Sequence, residues 1–135
     1  MAGFISEYLS HELLDHVWSA STYTPPATLY CALFTAAPTA GGGGTEVTGG
    51  SYARVAVTNN VTNFAAATSQ IKRNSTAITF ATPTADWGTV IGAGWYDAST
   101  GGNLLAYGPF GTSRSVLNGD TAPAIQANGG TFTLE

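Results

Sequence analysis

Charged side chains are scarce in this sequence. Only 9% of its 135 residues are Asp, Glu, Lys or Arg, whereas a typical soluble domain has about 25%. A nucleic-acid interface needs several clustered cations, and the four basic residues here include one adjacent pair, Lys72 and Arg73. The composition therefore argues against a nucleic-acid partner and against polybasic attachment to a membrane.

Long apolar runs are missing as well. No run reaches the roughly 18 residues that cross a bilayer. The N-terminus has no basic region followed by an apolar one, which is the pattern of a signal peptide. We therefore expect no membrane partner and synthesis in a cytoplasm.

Residue groups that carry catalysis or hold metals are also lacking. Cys31 is the single cysteine, which rules out a disulfide framework and a paired-cysteine zinc or redox site. His11 and His16 are five residues apart, about 140° off a common helix face, whereas a metal-binding helix spaces two histidines by four. The glycines at 41–44 lack the Lys-Ser/Thr that completes a phosphate loop. The sequence predicts no enzyme, no cofactor and no metal site.

A carbohydrate site stays open as an alternative. Asp86 precedes Trp87, and Asp97 follows Tyr96, so two acids lie beside aromatic rings, as they do in sugar-binding sites. Spacing alone does not show that these residues converge in space. Turn formation is the competing interpretation for the Asp residues.

Small neutral residues take the place of the missing charges. Ala, Thr, Gly and Ser together make up 68 residues, half the chain. Interface cores are depleted of charge, so a neutral surface of this kind favours burial against neighbouring subunits.

Residues 4–18 have the apolar period of one amphipathic helix. Apolar side chains recur at steps of three and four residues, and the prolines at 25 and 26 end the segment. We expect this helix to pack through Ile5, Leu9, Leu13 and Val17, on its own domain or on a neighbour.

The rest of the chain reads as short strands separated by turns rich in Gly, Asn and Asp. Their spacing is typical of an antiparallel sandwich or barrel. The expected strands are 28–35, 51–58, 75–81, 89–97, 103–110, 115–117, 122–126 and 131–135. We predict one domain over residues 1–135, with the helix and a linker in 1–26. Residues 27–135 then form a mainly β, jelly-roll-like antiparallel β-sandwich of seven or eight strands.

Segment 36–50 is a long glycine-rich connection. Loops of this length inside compact domains tend to be functional or mobile. We predict that it is mobile in the free protein and ordered only against a neighbouring subunit, with Glu46 and Val47 as anchors. The alternative is a loop that stays in solvent and has no partner.

Five runs of residues follow one another along nearly the whole chain. They are LLDHVW at 13–18, YTPPATLYCALFT at 23–35, TEVTGGSYAR at 45–54, ADWG at 85–88 and NGD at 118–120. In this order they resemble a family of small bacteriophage virion structural proteins, labelled tail-fibre-like or head decoration (cement). Pro123 makes the segment 122–126 less regular than the family implies.

The resemblance implies a virion protein that is made in the host cytoplasm and is not an enzyme. We expect a capsid decoration or cement protein that contacts the major capsid protein or other virion subunits as a homo-oligomer. The alternative is a tail or tail-fibre protein that touches host-surface glycan through Trp87, Trp95 and Tyr96. The candidate interface residues are Ile5, Leu9, Leu13, Val17, Trp18, Glu46, Val47, Arg54, Trp87 and Trp95.

Overall fold

The computed structural model describes residues 2–133, which form a mainly β fold with one N-terminal helix. The helix is α1 (Glu7–Trp18). The strands are β1 (Ala2–Ile5), β2 (Thr28–Ala36), β3 (Thr45–Glu46), β4 (Val55–Thr58), β5 (Ile71–Arg73), β6 (Ile78–Thr79), β7 (Gly88–Tyr96), β8 (Leu104–Val116), β9 (Ala124–Ile125) and β10 (Thr131–Thr133).

Eight strands form one sheet in the order β3-β2-β7-β8-β1-β10-β5, and β4 is paired to the free part of the β2 edge. Strands β6 and β9 form a second, two-stranded antiparallel sheet. All pairings are antiparallel except that of β1 with β10. The prediction of a mainly β, sandwich-like arrangement of antiparallel sheets with one N-terminal helix is confirmed.

The centre of the large sheet is formed by β2, β7 and β8. Residues 31–34 of β2 and 92–95 of β7 are buried without alternation, which is the burial expected where both faces of a sheet are covered. Small residues are required on β7, because a Cβ on Gly94 would lie 2.8 Å from the ring of Phe34. The compact Gly-Ala-Gly run therefore lets the aromatic side chain of the next strand occupy this space.

The apolar core lies between the two sheets and is rich in aromatic rings. Trp95 meets Phe64 edge-on with ring centroids 5.4 Å apart, and Trp87 meets Tyr52 in the same way at 5.4 Å. The indole nitrogen of Trp87 donates a hydrogen bond to the Gly50 carbonyl (2.9 Å). Both tryptophans are buried, so the expectation that they face a partner or a glycan is wrong. They are core residues because their rings pack across the sheets.

The helix begins three residues later than expected. Phe4 and Ile5 belong to β1 and pair with β8. Ser6 caps the helix, since its hydroxyl accepts a hydrogen bond from the Leu9 amide (3.1 Å). The apolar period continues through the strand and the helix, so only the pairing with β8 separates the two elements. No helix among the described residues has the length and apolarity needed to cross a membrane.

Strand boundaries also differ from those expected. The segments 103–110 and 115–117 form the single strand β8, whose pairing with β7 shifts register between Val90 and Gly92. Residues 51–54 precede β4 without being part of it, and β6 and β9 are two residues each. Strands β1, β3 and β5 were not expected, and residues 134–135 of the last expected strand lie outside the described residues.

Candidate functional site

Arg54 fastens two loops to the sheet. Its Nε and Nη2 donate to the two carboxylate oxygens of Glu46, both at 2.8 Å. Its Nη1 donates to the carbonyls of Ala98 (2.9 Å) and Gly101 (2.8 Å). The guanidinium carbon lies 3.6 Å from the centre of the Tyr96 ring. The side chain of Arg54, one of the candidate interface residues, is 7% exposed and is held inside the domain.

The carboxylate of Glu46 accepts three hydrogen bonds within the domain. Besides the two bonds from Arg54, it accepts a hydrogen bond from the Tyr52 hydroxyl (2.9 Å), which in turn accepts one from the Leu33 amide (2.9 Å). Burial raises the pKa of Tyr52, so this hydroxyl stays protonated and able to donate. The hydrogen bond to Glu46 likewise raises the pKa of Arg54. Glu46 is therefore an anchor within the domain, and its contact with a neighbouring subunit stays a prediction.

Segment 36–50 is attached to its own domain along most of its length. Val47 is 3% exposed, and its amide donates to the Leu33 carbonyl (3.0 Å). Thr39 and Gly42 exchange two backbone hydrogen bonds of 2.9 Å and close a tight turn. The prediction that this segment needs a neighbouring subunit for its order is wrong, because the anchors expected to meet that neighbour are occupied inside the domain.

A cleft of about 560 Å³ opens between the first half of α1 and two of these fastened loops. We call it the helix–loop cleft. Its volume is in the range of small-ligand sites. It is lined by Glu7, Tyr8 and His11 of α1, by residues 40–43, by Arg54 and Tyr96, and by residues 101–104.

The walls of the helix–loop cleft are held in place by short hydrogen bonds. The Glu7 amide donates to the Ala40 carbonyl (2.8 Å), which joins the helix to the 40–43 turn. The carboxylate of Asp97 accepts from the backbone (2.7 Å) and the side-chain amide (2.9 Å) of Asn103. Since Arg54 also holds this loop, the cleft is formed before any ligand arrives, which lowers the entropy lost on binding.

The electrostatic character of the helix–loop cleft is acidic. Glu7 lines it directly. Asp97 lies behind the wall, where its carboxylate is hydrogen-bonded to the lining residue Asn103. Partial burial and then the negative charges of Glu12 and Asp97 raise the pKa of Tyr8. Arg54 brings a positive charge, but Glu46 matches it. Among residues 2–133, no group of three or more His, Cys, Asp or Glu side chains is arranged to hold a metal ion.

The second half of α1 presents a different surface. Ile5, Tyr8 and Leu9 pack against the core, and Leu13 is half-buried. Beyond them, the exposed fractions are 53% for Leu14, 62% for Val17 and 77% for Trp18. We call these three residues the apolar helix end. The predicted packing face is therefore divided. Its first part packs against the core, and Val17 and Trp18 are mostly exposed among the described residues 2–133.

Sequence reasoning did not bring the members of these sites together. Glu46, Arg54 and Tyr96 were assigned to a loop and two strands, and the cleft combines three segments that are distant along the chain. The one available signal was charge, because Glu46 and Arg54 are two of very few charged residues.

A family model described as podophage GP4 fiber I protein gp80 matches residues 4–133. No curated protein matches the chain. The matched region includes the helix–loop cleft and the apolar helix end.

Proposed function

The chain belongs to the podophage GP4 fiber I protein gp80 family, and from this premise we propose that it is a tail-fibre subunit that attaches to another virion subunit through the apolar helix end. The membership confirms the resemblance to phage virion structural proteins and the location in the virion. A structural fibre family implies a role that is not enzymatic.

The observation that carries the attachment proposal is the exposure of Leu14, Val17 and Trp18. Positions three and four apart lie on one face of a helix, so the three side chains form a continuous apolar surface. Tryptophan is enriched among residues that dominate interface energies. Contiguous exposed apolar surface on a soluble domain marks interaction sites, and a fibre subunit must contact other virion subunits.

The fibre description of the family supports the tail or fibre interpretation over the capsid decoration expected first. Contact with the major capsid protein and homo-oligomerisation stay predictions. Counting copies on purified particles distinguishes the two locations, since a decoration protein follows the copy number of the shell subunit and a fibre subunit is far less abundant.

The attachment proposal is tested by replacing Leu14, Val17 and Trp18 together with serine. The isolated variant should keep its fold, and particles should lose it. The matched control replaces Val61 and Leu117, which are exposed apolar residues elsewhere on the surface (80% and 50%). Particles that take up the helix variant and the control equally would show that the apolar helix end is not the attachment surface.

Contact with host-surface glycan is a second candidate function. The observation that favours it is the helix–loop cleft, with walls fixed in advance and Tyr96 among its lining residues. Trp87 and Trp95 take no part, because both lie in the core. A cleft blocked by Gly41→Trp should reduce adsorption of phage to host cells, whereas unchanged adsorption would exclude this function.

A further inference from the structure

We infer that the helix–loop cleft binds a neutral saccharide and discriminates against sugars that carry a carboxylate. This inference rests on the second candidate function, and it names the class of ligand. Three features carry it: the charges that surround the cleft, the hydrogen-bonding groups on its walls, and the glycines that keep it open.

The charge around the cleft opposes an anion. Glu7 lies on the wall, and the carboxylate of Asp97 is hydrogen-bonded to Asn103 of the lining. Arg54 is the one Arg or Lys of the lining. Four of its five N–H donors are directed at Glu46 and at two backbone carbonyls. It therefore has no free fork with which to grip a ligand carboxylate in the bidentate manner of arginine sites.

The wall groups match the hydroxyls of a neutral sugar. A sugar hydroxyl both donates and accepts, and Glu7 offers carboxylate oxygens that only accept. Tyr8 and His11 carry groups able to donate and accept, and the side-chain carbonyl of Asn103 is a further acceptor, since its amide nitrogen is bound to Asp97. The carboxylate of a uronate only accepts hydrogen bonds, so that group finds no partner in the carboxylate and carbonyl acceptors of the wall.

Glycine keeps one side of the cleft open. Residues 41–43 line the space without side chains, so a ligand can approach the backbone there. Gly42 and Gly43 have φ of +103° and +82° and require glycine, but Gly41 is outside this region. A Cβ on Gly41 would lie 3.5 Å from the nearest Glu7 carboxylate oxygen, an ordinary contact. A large side chain at position 41 can therefore fill the cleft from the turn without straining the backbone.

The inference is tested by nuclear magnetic resonance titration of the full, ¹⁵N-labelled chain. The probes are glucose, galactose, mannose, rhamnose and N-acetylglucosamine, each beside glucuronate and galacturonate as charged counterparts. We expect at least one neutral sugar to shift the amides of residues 41 and 101–103. We expect the uronate with the same ring to bind roughly tenfold more weakly, because like charges are brought together.

Three variants separate charge from space. Glu7→Gln should narrow the difference in affinity between a sugar and its uronate, because it removes a negative charge from the wall. It should also weaken binding of the neutral sugar, because one carboxylate acceptor becomes an amide donor. Gly41→Trp should abolish binding of every sugar. Gly111→Trp is the matched control. Like Gly41, Gly111 has no positive φ, and a Cβ added to Gly111 would have no atom within 4 Å. If Gly41→Trp does not fold, His11→Trp closes the cleft from the exposed side of α1.

The outcomes distinguish this inference from the function on which it rests. Uronates that bind as tightly as neutral sugars, or no shift with any neutral sugar, would overturn the ligand class. If uronates bind more tightly than neutral sugars and phage with the blocked cleft adsorb poorly, the role in glycan contact is supported. The assignment of a neutral sugar as the ligand is then wrong. If neutral sugars bind and phage with the blocked cleft adsorb normally, the ligand class is supported. The role of the cleft in host contact is then wrong.

Discussion

We expected both the second half of α1 and the segment 36–50 to contact a partner. In the structure, the helix end is exposed and the segment 36–50 is packed against its own domain. The helix end leaves Val17 at 62% exposure, whereas the loop buries Val47 to 3%. The loop has the more flexible composition, yet it is the one that is fastened. A glycine-rich segment therefore predicts a mobile backbone only where no neighbouring side chain is bound to the rest of the domain.

The difference follows from the long-range partners of each segment. Val47 is part of the hydrophobic core, and the Glu46 carboxylate accepts hydrogen bonds from Arg54 and Tyr52. In a chain with so few charges, an acid and a base that form a forked pair dominate the local structure. In the described part of the chain, Tyr8 and Leu9 in the first half of α1 pack against the core, whereas the apolar helix end is exposed.

The largest effect should come from Arg54→Ala, which would release the fastened segment. The change leaves the half-buried carboxylate of Glu46 without its cation and frees the carbonyls of Ala98 and Gly101. We expect a loss of about 3 kcal/mol in the free energy of unfolding, measured with urea. Arg114→Ala is the control, because Arg114 is exposed and makes one hydrogen bond to a backbone carbonyl. Equal losses in both variants would mean that the Glu46–Arg54 pair does not hold the segment.

The loop should also respond to Val47→Ala. Removing two methyl groups from a buried site leaves a cavity, and we expect a loss of about 2 kcal/mol in the free energy of unfolding. Thr48→Ala next to it is exposed and should change stability by less than about 0.5 kcal/mol. A loss for Val47→Ala no larger than that of its neighbour would show that the loop is loose after all.

Periodicity predicted what depends on neighbours in sequence, and it failed where distant residues decide. The helix over 7–18 and the strands β2 and β7 follow from their patterns, because amphipathicity and buried apolar runs are local properties. Phe4 fits the helical stripe equally well, so only its pairing with β8 reveals a strand. Trp95 was expected to contact a glycan or a partner, yet its ring meets Phe64, which is 31 positions away. The helix–loop cleft has no pattern of its own, since three separate segments form it.

High pH should weaken the fastened loop through Tyr52. Burial raises the pKa of this hydroxyl above its value of about 10 in an unfolded chain. The folded state therefore holds the Tyr52 proton more tightly than the unfolded chain does. This contribution to the free energy of unfolding is fully present below about pH 10 and is lost as the pH rises further. One such group contributes at most about 1.4 kcal/mol per pH unit. Urea unfolding between pH 8 and 11 measures the fall.

The control for this titration is Tyr52→Phe. It is less stable at pH 8 because the Leu33 amide and Glu46 lose a hydrogen-bond partner, but its stability should depend less on pH above 10. The same slope in both proteins would assign the alkaline loss to other tyrosines, of which Tyr8, Tyr23 and Tyr96 also have raised pKa values.

The smallest effect is expected from Val17→Ala, which applies the same substitution as Val47→Ala to the other segment. Val17 is mostly exposed, so little apolar contact is lost, and alanine has a higher helix propensity than valine. The free energy of unfolding of the isolated protein should change by less than about 0.5 kcal/mol in either direction. The measurement is made at several protein concentrations, because self-association through the helix end would make stability depend on concentration. A loss as large as that of Val47→Ala, independent of concentration, would mean that Val17 is packed within its own domain, and the apolar helix end would then be unavailable to any other virion subunit.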